Sequence, residues 1–173
     1  MLKDSDCWVP DCMYFDDYDK DFKMYEEALY EVFKHDFLDS KPMFMGKPVQ
    51  HRKYPMENGK EEAFYHITCN DYCHVKDRSP DFRRSERIKW CRAFIEKYKC
   101  EGYKCEDCDG MRVWTEWYRG KLQTCILSEE YRYIVILEER DDFYLLISAY
   151  YIEYDRSLRK KIDNYDNAVQ QLQ

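Results

Sequence analysis

The sequence predicts an α+β fold: N-terminal helices packed on a four-stranded antiparallel meander sheet, with a C-terminal helix. Three observations predict it. Apolar residues near the start recur at helical spacing. From 111 to 154, runs of β-forming residues are separated by turns too short for a crossover helix. Helical spacing then returns from 157 to 171.

In chain order, residues 1–20 form an acidic, aromatic extension with Trp8, Tyr14, Phe15 and Tyr18 among six aspartates; it either wraps the domain or stays mobile. A helix is predicted over 21–38, where Phe22, Tyr25, Leu29, Val32, Phe33 and Phe37 share one side. Ser40-Lys41-Pro42 ends it. Gly46-Lys47-Pro48 and Tyr54-Pro55 bracket a short strand around Val49 to Lys53, and Asn58-Gly59 marks a turn. Ala63 to Cys69 alternates and reads as a strand, with Phe64, His66 and Thr68 on one face. Ser79 as N-cap and Pro80 at the first helical position predict a helix running to about Tyr98. The meander strands are Met111–Tyr118, Leu122–Ser128, Tyr131–Glu138 and Phe143–Tyr154. The last helix, Ser157 to Gln171, carries Leu158, Ile162, Tyr165 and Val169 as its stripe.

One domain is expected for 173 residues, and five glycines and five prolines leave little room for linkers. The start has no apolar segment of a secretory signal. The longest uncharged apolar run, Phe143 to Ile152, is too short to span a bilayer. The expectation is a cytoplasmic protein without a membrane partner. Nine cysteines then read as thiols rather than a disulfide framework. Cys105-Glu-Asp-Cys108, with Cys100 before it, is a weak zinc alternative whose fourth ligand would come from Cys69, Cys73 or His74.

The net charge of −7 is unevenly distributed. Residues 1–40 hold twelve Asp/Glu against four Lys/Arg, whereas 76–104 hold ten Lys/Arg against five Asp/Glu. The densest basic stretch is Arg83-Arg84-Ser85-Glu86-Arg87-Ile88-Lys89-Trp90. On a helix, Arg83, Arg84 and Arg87 share a face, a grouping suited to phosphate. A solvated face neutralised by Glu86, Asp81 and Glu96 accounts for the same residues. His66, six residues after Lys60, supplies a group that titrates near neutrality. Histidine, lysine and arginine together are what metal-free RNA cleavage uses, for proton transfer and for stabilising the strained phosphate. A hydrogen-bonded structural histidine is the competing reading. In the last strand, Ser148 interrupts an apolar run, and Tyr150 is either a proton donor and base-stacking group or plain core.

Four segments carry a resemblance: Gly59-Lys60-Glu61 with Phe64-Tyr65-His66; Arg78 through Trp90; Tyr133 through Arg140; and Tyr144 through Tyr151. They are similar to a family of small proteins from bacterial genomes, phages and mobile elements. That family resembles phage-type members of the barnase / EndoU / colicin-nuclease / RelE-like ribonuclease superfamily. The resemblance covers roughly residues 21–165 and implies a nuclease-like core of helices on a four-stranded antiparallel sheet. It implies a metal-independent endoribonuclease, toxin-like, needing no cofactor, with RNA and an antitoxin or inhibitor protein as partners. On this sequence the catalytic candidates are His66, Arg87, Tyr150 and Lys60, and the phosphate-binding candidates are Arg83, Arg84, Arg87 and Ser148. A non-catalytic RNA- or anion-binding module is the alternative expectation.

Overall fold

The computed structural model describes residues 7–70, 78–101 and 110–172. Its centre is a six-stranded mixed sheet. This corrects the expected four-stranded antiparallel sheet. Two early strands are added to the meander. β1 (Met43–Phe44) and β2 (Lys47–His51) form a hairpin through Met45-Gly46, both at positive φ as a tight hairpin turn requires. The meander itself is present as β5 (Arg112–Tyr118), β6 (Lys121–Ser128), β7 (Tyr133–Glu139) and β8 (Tyr144–Tyr151), all antiparallel neighbours. The order across the sheet is β1-β2-β8-β7-β6-β5. β2 lies parallel to β8, with Val49 opposite Tyr144 and His51 opposite Leu146. This pairing joins segments about a hundred residues apart in sequence, and no local signal announces it.

α1 (Phe22–Phe33) begins where the Asp21 side chain accepts the Met24 N–H, and it buries Tyr25, Leu29 and Phe33. A π-helical turn, Lys34–Asp39, continues it and buries Phe37, so the 21–38 helix is present with a widened end. The expected strand at 63–69 is instead a helix, α2 (Glu62–Thr68). Ala63, Phe64, Tyr65, Ile67 and Thr68 are all buried. A segment enclosed on nearly every side shows neither period cleanly, and its β-formers tip the reading. The Arg52 and Lys53 carbonyls accept the first N–H groups of α2, and the Thr68 hydroxyl returns to the Phe64 carbonyl at 2.8 Å.

The single helix expected over 79–98 is also divided. β3 (Cys69–Asn70) pairs with β4 (Ser79–Pro80), so Asp81 and not Ser79 caps the next helix. The Asp81 carboxylate accepts the Arg83 and Arg84 N–H groups at 3.0 and 3.2 Å. α3 (Phe82–Ser85) stops after one turn, and α4 (Ile88–Glu96) starts afresh. The break has an identifiable cause. The Arg87 guanidinium bonds the Arg83 carbonyl, and the Met13 N–H takes the Glu86 carbonyl, so both acceptors are lost to the helical ladder.

These helices cover one face of the sheet, here the inner face. Its core includes Tyr25, Phe33, Phe64, Trp90, Phe94 and Tyr133, with Trp90 stacked on Phe94 and both edge-on to Tyr133. Residues 7–18 are part of this packing: Val9 and Met13 are buried, and the Trp90 indole donates to the Pro10 carbonyl at 2.7 Å. Among the described elements α5 (Asp155–Gln170) alone crosses the outer face, where Leu158, Ile162 and Tyr165 meet Trp114, Cys125, Ile134 and Ile152. Arg132 joins the two elements at that end, bonding the Ile152 and Glu153 carbonyls and the Asp155 carboxylate. None of the described helices is long and apolar enough to cross a membrane.

Candidate functional site

β8 supplies the candidate residues, and a register shift decides where they point. The pairing with β7 slips between Ile136–Ser148 and Leu137–Leu146, leaving Ile147 as an extra residue. Tyr144, Leu146, Ala149 and Tyr151 therefore meet the inner core, whereas Ile147, Tyr150 and Ile152 pack on the outer one. Ser148 lies opposite Ile136, half-buried. β2 pairs only with residues 144–146, and α2 and α3 lie against the rest of β8.

The three arginines straddle this edge of β8 instead of converging on one patch. Arg84 donates to the His66 carbonyl at 2.9 Å, pairs with Asp81 at 3.5 Å and stacks on the Tyr150 ring at 5.1 Å. Arg87 stacks on Tyr151 at 4.4 Å and on Trp90 at 5.1 Å, with Glu86 3.4 Å away. Its Nε is buried and has no hydrogen-bond partner among the described residues. Arg83 points outward and pairs with Glu153; their side chains are 52% and 46% exposed. Phe82, Arg83, Glu86, Arg87, Tyr151 and Glu153 frame a surface hollow of about 520 Å³.

The other candidates do not join this hollow. Lys60 is 7% exposed and bonds Glu27 at 2.8 Å, with Glu26 at 3.6 Å and the Tyr30 ring at 5.3 Å. Burial lowers the Lys60 pKa, but the Glu27 hydrogen bond and the Glu26 charge outweigh it, so the ammonium is held above its ordinary range. The His66 ring faces Glu62 at 3.3 Å, and Glu62 also meets Arg78 at 3.6 Å. It is the His66 carbonyl that meets the arginine cluster, through Arg84. Of the zinc alternative, Cys105 and Cys108 lie outside the described residues, as do Cys73 and His74. Cys100 is half-buried, and no metal-holding group of three or more His, Cys, Asp or Glu occurs among the described residues.

A second concavity, about 620 Å³, lies on the outer face between β5, β8 and α5. Ser148 lines neither this groove nor the hollow. Sequence reasoning found one residue of the groove, Tyr150, and missed the rest. Glu116 sits inside it, accepting from Lys161 at 2.8 Å, Asn164 at 2.9 Å and the Trp114 indole at 2.9 Å. Burial raises the Glu116 pKa, but the Lys161 and Trp114 hydrogen bonds overcome it and hold the carboxyl below its usual range. Trp117 and Tyr118 stand exposed at the rim. A signal for these residues exists in the sequence: strand alternation puts Glu116 on the same face as Trp114, and Lys161 and Asn164 flank the apolar Ile162 on a helix. Nothing local says that the two elements meet.

No family model, no curated protein and no solved structure matches this chain.

Proposed function

We propose that the protein is a non-catalytic binding module for RNA or a related phosphate-bearing chain, engaged through the hollow at the edge of β8. The observation that carries this reading is the Arg83–Glu153 pair beside Arg87. Arg83 is exposed and held by a single exposed carboxylate, which an incoming phosphate can replace at little cost because such pairs are weak. Arg87, fixed between Tyr151 and Trp90, keeps a second guanidinium at the same hollow, and Phe82 and Tyr151 offer aromatic surface for a base. The types needed for cleavage are present but dispersed. His66 pairs with Glu62 and Lys60 with Glu27, and neither side chain lines the hollow that Arg83 and Arg87 frame. This favours binding over the endoribonuclease activity that the motif resemblance implies.

The test is a pair of measurements on the same protein. Fluorescent single-stranded RNA should bind with an affinity that falls as salt rises, and Arg83→Ala should weaken it. Total RNA incubated with the protein and EDTA should stay intact. Absence of binding at low salt would remove the proposal. Cleavage that His66→Ala abolishes would replace it with the ribonuclease reading.

A further inference from the structure

The outer groove has a composition that the RNA-binding reading leaves unused. Two lysines, Lys160 and Lys161, line it against one carboxylate, Glu116. The Glu116 carboxylate already accepts from Lys161, Asn164 and Trp114. Lys161 gives one hydrogen bond to Glu116, leaving two ammonium protons, and Lys160 lies beside it in the lining. No described residue hydrogen-bonds the Tyr150 hydroxyl, which belongs to the same lining. Burial pushes the Tyr150 phenol above its ordinary pKa although Lys161 and Arg84 pull it down, so it keeps its proton and is a donor. Apolar surface comes from Ile152, Ala168 and Tyr118. The volume of about 620 Å³ is that of a small-molecule site. A preformed concavity with a few convergent polar groups over an apolar floor is how such sites are built.

We propose that this groove is a second, separate ligand site for a small organic anion, a carboxylate or phosphate monoester carried on a flat ring. Lys161 and the Tyr150 hydroxyl receive the anionic oxygens, and the ring lies towards Ile152 and Tyr118. Glu116 is a positioning residue: its bond to Lys161 aims the ammonium and its bond to Asn164 fixes the wall of α5. The two sources of the anion are separated by the choice of probe.

The experiment titrates the full chain with benzoate and with adenosine monophosphate, read by calorimetry and by tryptophan fluorescence, with inorganic phosphate as a ringless control. Saturable one-to-one binding of at least one ring-bearing probe is expected, with inorganic phosphate weaker. Benzoate alone identifies a carboxylate site, and the nucleotide alone a phosphate-ester site. Tyr150→Phe should weaken the bound probe by about tenfold, the scale of one hydrogen bond to a charged group. Asn167→Trp, a change at an exposed position of the lining, should fill the groove and abolish binding while the circular dichroism stays unchanged. Arg83→Ala should leave probe binding intact, which separates this site from the RNA hollow. The proposal is overturned if neither probe saturates, or if binding survives both Tyr150→Phe and Asn167→Trp.

Discussion

The two faces of the sheet are built on different terms. The inner face is sealed by α1, α2, α4 and the 7–18 segment, and its centre is a nest of rings in which Phe94, Tyr133 and Phe33 are fully buried. The outer face is crossed by one helix of the described residues, and beside its apolar contacts it keeps an ion pair, an amide and a phenol around open volume. A face closed by many elements can be dry and tightly packed. A face closed by one amphipathic helix leaves a margin where polar side chains must satisfy each other, and that margin is where a ligand finds room. The contrast assigns stability mainly to the inner face, and both proposed binding sites lie at the outer face and the β8 edge.

The strongest way to break that comparison is truncation at each core. Phe94→Ala removes a ring in contact with Trp8, Trp90 and Tyr133, and should cost about 3–5 kcal/mol in urea unfolding. Ile162→Ala, on partly buried α5, should cost about 1–2 kcal/mol. Equal losses would mean that the outer face carries as much of the fold as the inner one.

The next effect sharpens the polar side of the contrast. Glu116→Gln keeps the shape but removes the charge that Lys161 faces, and should cost about 1–3 kcal/mol at neutral pH. Its pH dependence has a definite sign. The folded-state pKa of Glu116 lies below the unfolded one, so the charge contributes fully above the unfolded value of about 4.3. That contribution is lost as pH falls through the lower, folded value. The stability gap between wild type and Glu116→Gln should therefore be constant from about pH 6 to 8 and shrink below about pH 4.3. A gap that stays open into strong acid would show that the carboxylate charge is not its source.

Legibility in the sequence divides along similar lines. The β5–β8 meander is legible because its pairings are local and its turns are chemically marked; Arg119-Gly120 has both residues at positive φ, as a two-residue hairpin turn demands. α1 and α5 are legible because each has one wet side. α2 is not, since near-complete enclosure removes the alternation that distinguishes helix from strand. The parallel addition of β2 to β8 is invisible for want of any local mark. At the site, residue type picks out Arg83 and Tyr150, but their placement depends on the extra residue at Ile147 and on the break after Ser85. Both arise from contacts made by distant segments, the β7 pairing in one case and Met13 in the other.

Lys60 offers a smaller test, of whether a conspicuous charge serves binding or packing. Its ammonium lies against Glu27 and Tyr30 on the helical side, and its stem is buried. Lys60→Met should lower stability by about 1 kcal/mol and leave RNA affinity as it was. A drop in RNA affinity with unchanged stability would reverse the assignment and return Lys60 to the site.

The smallest effect on the fold should come from Arg83, where the largest effect on RNA binding is expected. Its guanidinium leans on Glu153 in solvent, so Arg83→Ala should leave the unfolding midpoint where it is. If the hollow binds phosphate, the same substitution should reduce the slope of log affinity against log salt by about one unit, the signature of one lost phosphate contact. Glu153→Gln gives the converse. With its competitor for Arg83 neutralised, the RNA affinity should rise at low salt while the slope stays the same. Arg83→Ala and Glu153→Gln moving affinity in the same direction would mean that their pair is itself the structural element, and that the edge of β8 is closed to phosphate.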